Sequence, residues 1–131
     1  MTIADLITRV ESGSGSDRQL DADICVALQW GLDIADGVIR RDDCYHECIA
    51  NGPSADPIWR IAPHLTSSLD AIRALFKERL EDFEHSLSDA NGAGRAFIWS
   101  ALHAAYISEA NLDIHRAFLS AVLKAIAAKE G

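Results

Sequence analysis

No stretch of the chain approaches the roughly 18 uninterrupted apolar residues that a membrane-spanning helix needs. The first 15 residues carry Asp5 and Glu11 in an amphipathic pattern, not the basic start and apolar run of a secretory signal. Cysteine is scarce: Cys25, Cys44 and Cys48 make an odd number, which points to reduced thiols in a cytoplasmic protein rather than a disulfide framework. Positive charge is short as well, with 12 bases against 20 acids for a net charge of −8. That balance disfavours phosphate backbones and anionic membrane surfaces as partners, and leaves a basic protein partner or mimicry of nucleic acid. Glycine-rich phosphate loops are missing too, since Gly13 and Gly15 lack the preceding strand and the lysine. Neither a nucleophile elbow nor a basic, aromatic nucleic-acid surface is present.

What remains is an apolar half, 49% of 131 residues, enough for one domain over 1–131 with a real core. Three segments open with a hydroxyl followed three residues later by an acid or amide: Thr2 with Asp5, Ser16 with Gln19 and Ser67 with Asp70. Each reads as a capping box that starts a helix. The first helix carries Ile3, Leu6, Ile7 and Val10 on one face and stops at Ser12-Gly13-Ser14-Gly15. The second is expected over about 17–30, with Leu20, Ile24, Ala27 and Leu28 buried, Asp21 and Asp23 pointing elsewhere, and Gly31 as the C-terminal cap. A third places Leu69, Ile72, Phe76, Leu80 and Phe83 at near-heptad spacing, with Lys77 and Glu81 set to pair across one turn. The last begins at the cap residue Asp113 and buries Ile114, Ala117, Phe118, Ala121, Val122 and Ala125. Lys124 and Lys129 lie toward its C-terminus.

Between these helices the pattern is weaker. Leu32–Ala35, Asp36-Gly37 and Val38–Arg40 suggest a hairpin on a tight turn. Pro53, Pro57 and Pro63 keep the following stretch extended or looped, and two helical turns around Cys44–Ile49 are an alternative. Over 84–111 the residues Phe83, His85 and Leu87 alternate around the turn chemistry of Asn91-Gly92-Ala93-Gly94, which reads as a β-hairpin near 83–102. Ile98, Ala101, Leu102 and Ala105 also fit a helix. The fold expected is therefore α+β, helices packed on a small antiparallel sheet, with an all-α bundle as the alternative.

Asp5-Leu6-Ile7, Arg18-Gln19-Leu20-Asp21-Ala22 with Ile24, Ala27-Leu28 and Trp30 form one set of distinctive residues. Pro63, Thr66, Ser68, Asp70 and Ala71, then Ala117, Ala121, Leu123, Lys124 and Ala125, form another. In this order they resemble the phage ABA sandwich domain, a group of small phage and prophage proteins. Leu65 stands where that family usually has an aromatic, Gln29 replaces a glycine, and Asp113-Ile114 replaces a threonine-proline helix start. The resemblance implies a small sheet packed among helices and no catalytic residue.

Three groups of side chains are candidates for chemistry. Cys44, His46 and Cys48 carry soft zinc ligands, or a thiol beside a histidine. On a helix His46 would point away from both thiols, so a metal site needs Cys25, His64 or His85 as well. Glu78, Glu81, Asp82 and Glu84 gather at the end of the third helix, as a carboxylate site or a solvated face. Trp59 lies in a loop, as an interface anchor or as a lid on the core. No catalytic, cofactor or metal residue is assigned from these. The function expected is that of a small acidic accessory protein of phage type, non-catalytic, which binds another protein or itself and contacts neither nucleic acid nor membrane. The rivals are an acidic, DNA-mimicking inhibitor of a nucleic-acid enzyme and a zinc- or thiol-dependent enzyme built on 44–48.

Overall fold

The computed structural model describes residues 2–28, 37–41, 47–51, 59–61, 63–90 and 93–130, those within 37–61 by their backbone alone. Among the described residues there are four helices: α1 (Ile3–Ser12), α2 (Arg18–Leu28), α3 (Leu69–Arg79) and α4 (Ile114–Glu130). One three-stranded antiparallel sheet is formed by β1 (Gly37–Arg41), β2 (Glu47–Asn51) and β3 (Trp59–Ile61). A second is formed by β4 (Glu84–Ala90), β5 (Ala93–Ser100) and β6 (Ala105–Asn111), β5 lying in the middle. The molecule is α+β, and the all-helical alternative is overturned.

Helix starts follow cap chemistry, but two of the three boxes are displaced by one residue. At α1 the box is complete, with the Asp5 N–H donating to Thr2 Oγ1 and the Thr2 N–H to the Asp5 carboxylate. At α2 the cap is Asp17 rather than Ser16: Leu20 N–H donates to Asp17 Oδ1 at 3.1 Å. The backbone N–H of Asp17 is itself held by Thr66 Oγ1 at 2.8 Å, which fixes the entry of the helix at that residue. At α3 it is Ser68, whose Oγ accepts from Ala71 N–H. The N–H groups of Ser67 and Ser68 both go to the His64 carbonyl, so Ser67 is consumed by the preceding turn.

Helix α4 organises the core. It contacts all three strands of the second sheet and also α1 and α3, while α2 packs on α1 and touches β1 and β2. Ten consecutive or near-consecutive residues of α4, Arg116 to Leu123 with Ala125 and Ile126, are buried, as expected of a helix enclosed between two layers. Its alanines permit close approach to β5, and Gly94 completes the fit: a Cβ there would stand 2.5 Å from Ile114 Cα. Leu6, Val10, Leu20, Ile24, Ile72, Leu75 and Phe76 close the other side.

Other expectations need correction. Helix α3 ends at Arg79 with Leu80 as its C-cap. Leu80 and Phe83 are buried beyond it as anchors of the turn into β4, and Glu81 has left the helical geometry needed to pair with Lys77. Gly37 opens β1 opposite Asn51, and Val38–Arg40 pair with Cys48–Ala50. It is therefore a strand residue and not part of a turn, while the Leu32–Asp36 half of the expected hairpin lies outside the described residues. Glu47–Ile49 are strand rather than helix, and Trp59 opens β3 opposite Ala50 rather than sitting in a loop. The β-branched Val38, Ile39, Ile49 and Ile61 favour that pairing. Residues 101–104 are a turn, and Ala105–Asn111 adds a third strand to the hairpin read near 83–102. Asp21, expected to point away from the core, is buried, paired with Arg18 at 2.7 Å and accepting the Thr66 N–H at 2.7 Å. Trp30 and Gly31 lie outside the described residues.

Candidate functional site

Strand alternation sorts the second sheet into two faces. Toward α4 point Ala96 and Ile98, fully buried, with Leu87, Ala105 and Ile107 packed against the same core. The opposite face carries Glu84, Ser86 and Ser88 on β4, Arg95, Phe97 and Trp99 on β5, and Tyr106, Ser108 and Ala110 on β6. In register, Trp99 stands between Glu84 and Tyr106, and Phe97 between Ser86 and Ser108. Side chains directly opposite one another on neighbouring strands lie about 5 Å apart at Cβ, so the three aromatics form one surface. Tyr106 is 69% exposed and Leu102, in the turn above it, 74%.

Ser86, Phe97, Trp99, Ala101, Ala104 and Tyr106 border an open depression of about 680 Å³ along this face. A second, of about 380 Å³, adjoins it through Trp99, Ser100 and Ala101 and brings in Glu81, Asp82, Glu84 and Leu102. The Trp99 indole N–H donates to Glu84 Oε2 at 2.8 Å, which fixes the ring on the sheet. The turn joining β5 to β6 is held by the His103 N–H on Ser100 Oγ and closes at Ala104 with φ of 50°, a left-handed conformation uncommon for alanine. His103 stacks on Phe83 with ring centroids 5.1 Å apart, and its Nε2 lies 3.8 Å from Asp82.

No protein-family model, curated protein or solved structure matches the chain. The candidate surface therefore rests on its own geometry.

The sequence candidates are scattered. Cys44 and His46 lie outside the described residues, and Cys48 is placed by its backbone in β2, opposite Arg40 and Ile61. Cys25 is buried in the core, far from being a ready thiolate. Burial, reinforced by the Asp21 charge and opposed by Arg18, pushes its thiol up to about 12. His64 is exposed. His85 sits between Phe76 and Phe118, with centroids 4.6 and 5.2 Å away. Burial, with the Arg73 charge, holds its pKa below the ordinary value. Among the described residues no three His, Cys, Asp or Glu side chains converge as a metal site, and no helix among them is long and apolar enough to cross a membrane. Of the acids at the end of α3, Glu81, Asp82 and Glu84 come together beside Trp99. Sequence reasoning missed Trp99 and Tyr106 as surface residues. The signal available was strict alternation in Arg95–Ser100, which puts Phe97 and Trp99 on the face opposite Ala96 and Ile98.

Proposed function

We propose that this protein is a small accessory protein of phage or prophage type, at work in the cytoplasm of the host cell, which acts by binding another protein and performs no catalysis. The observation that carries the reading is the open face of β4–β5–β6, where Phe97, Trp99 and Tyr106 adjoin and Leu102 stands out at the rim. Large aromatics dominate the energetics of protein interfaces because they bury much area at little entropic cost. A group of them on an open sheet face, with Tyr106 exposed and Phe97 and Trp99 half-buried, is the kind of patch that marks an interaction surface. The phage element of the proposal rests on the family resemblance, whose residues Leu6, Leu20, Ile24, Ala117 and Ala121 lie in this core.

The rival reading as a DNA mimic requires a continuous stripe of free carboxylates. Asp21 is buried, Asp23 is bound to Arg9, and Glu11 and Glu109 are bound to Lys124, which counts against it. A thiol enzyme draws no support from Cys25, whose pKa is raised.

The test is site-specific photocrosslinking in host extract, with benzoylphenylalanine at Tyr106 and, as a control, at the exposed Ala128 of α4. Discrete adducts to a protein from Tyr106 alone are expected, and adducts to a second copy of the chain would identify self-association. Equal or absent yields from the two positions sink the reading.

A further inference from the structure

We propose that the open face of β4–β5–β6 receives a basic peptide segment of its partner, with an arginine or lysine side chain seated on Trp99 among Glu81, Asp82 and Glu84. This rests on the reading of that face as a docking surface and adds the chemistry of the occupant.

The aromatic and acidic depressions are continuous through Trp99. A cation above its ring meets the negative face of the indole, and Tyr106, its register partner, offers a second ring. Such contacts form within about 6 Å of a ring centroid and strengthen as water is displaced. Glu84 already accepts the Trp99 N–H through one oxygen, and a carboxylate has acceptor capacity for a guanidinium or ammonium besides. Three of the protein's own cations are used elsewhere: Arg9 on Asp23, Arg18 on Asp21, and Lys124 on Glu11 and Glu109. The base beside the acidic end of the face is His103, 3.8 Å from Asp82.

The face is also polar along its length. Arg95 is exposed at the far end of β5, four residues from Trp99, or roughly 13 Å at the rise of a strand. A bound segment thus needs positive charge at the Trp99 end and none at the Arg95 end. Stacked nucleobases suit aromatic sheet faces, but their phosphates would meet three carboxylates and a protein of net charge −8. Charge therefore favours a basic peptide over a nucleic acid.

The experiment is an NMR titration of the full, ¹⁵N-labelled chain. The Trp99 indole signal is identified by its loss in Trp99→Phe. The probe is a glycine-serine nonapeptide bearing spaced arginines, and its comparators carry citrulline, glutamate or leucine at those positions. An oligothymidylate serves as the nucleic-acid arm. The arginine peptide is expected to shift the Trp99 indole and the Tyr106 amide saturably. Exchange of arginine for citrulline, or Glu81→Gln with Asp82→Asn and Glu84→Gln, should weaken it at least about tenfold. The three acids are exposed, so the variant keeps its fold, and the citrulline arm leaves the protein untouched. Equal or tighter binding of the glutamate, leucine, citrulline or oligothymidylate probe at this face overturns the cationic occupant and leaves the docking surface standing. So does the absence of any shift from the arginine peptide when Tyr106 still crosslinks. Loss of crosslinking as well removes the docking reading itself.

Discussion

Arg116 is the residue on which the joint between α1 and α4 depends, and Arg116→Met isolates its contribution. The guanidinium is 1% exposed. It donates to the Gly15 carbonyl at 3.2 and 2.7 Å, to Arg9 O at 3.2 Å and to Val10 O at 3.3 Å. Methionine fills similar volume but carries no donor. Arg9 O keeps the Gly13 N–H as a donor, so Gly15 O and Val10 O are left without this partner. At about 1–3 kcal/mol for each stranded carbonyl, the expected loss is about 2–6 kcal/mol. That is a large fraction of the roughly 5–15 kcal/mol that holds a domain of this size. Urea unfolding followed by far-UV circular dichroism, with a slope of about 2 kcal/mol/M, should show the midpoint fall by about 1–3 M. Arg116→Lys keeps the charge but loses the fork geometry and should fall between the two. A methionine variant as stable as the parent, or more stable, would refute the reasoning. It would mean that desolvating the guanidinium costs as much as its bonds return, as happens for some buried ion pairs.

The same device closes two more helices. Arg79, the last residue of α3, donates to Leu28 O at the end of α2 at 2.6 Å, and Lys129 donates to Arg79 O at the end of α3 at 3.0 Å. Each of α1, α2 and α3 therefore ends on a cation supplied by another helix, where the negative end of the helix dipole favours it. With Arg9, Arg18 and Lys124 in ion pairs, at least six of the chain's 12 lysines and arginines are bound within the fold.

The helices were legible because their signals are local. A serine, threonine or aspartate before a run of 3.6 periodicity needs no tertiary contact to be recognised, and the errors of one residue at Ser16 and Ser67 arise where a neighbour caps equally well. The third strand of the second sheet was not legible. In Ala105–Asn111 an acid, Glu109, faces inward to meet Lys124, and an aromatic, Tyr106, faces out, so the alternation of polarity is scrambled. Alanine's helical preference then pointed the wrong way, and pairing with β5 together with packing on α4 prevailed. The candidate surface was hidden for a related reason. Trp99 and Tyr106 are apolar residues that a periodicity argument assigns to the interior. Their place on the open face follows only once Ala96 and Ile98 are known to face α4. The cross-helix caps are longer in range still: Arg116 and Gly15 are 101 positions apart.

Gly94→Ala should cost about 1–3 kcal/mol, because the added Cβ would stand 2.5–2.8 Å from the backbone of Ile114 and must push the start of α4 off β5. A melting temperature within a degree of the parent would show that this contact yields freely. A pH effect is expected from His85, whose ring is held between Phe76 and Phe118. Burial, aided by Arg73, lowers its pKa in the fold below the ordinary 6.5, so the unfolded chain takes up the proton first. The stabilisation by the neutral ring is complete above that value and is lost as pH falls from it through the folded-state pKa. Glu11, held low by its bond to Lys124, and Asp113, held low by His115 against the effect of burial, lose their contributions only below about 4.5 and 3.8, their ordinary values. The two windows are separate. Urea midpoints measured between pH 7.5 and pH 5 should therefore decline in the parent and stay level in His85→Phe, which keeps an aromatic ring in the stack and removes the titration. Parallel slopes for parent and variant would show that His85 is not the group responsible.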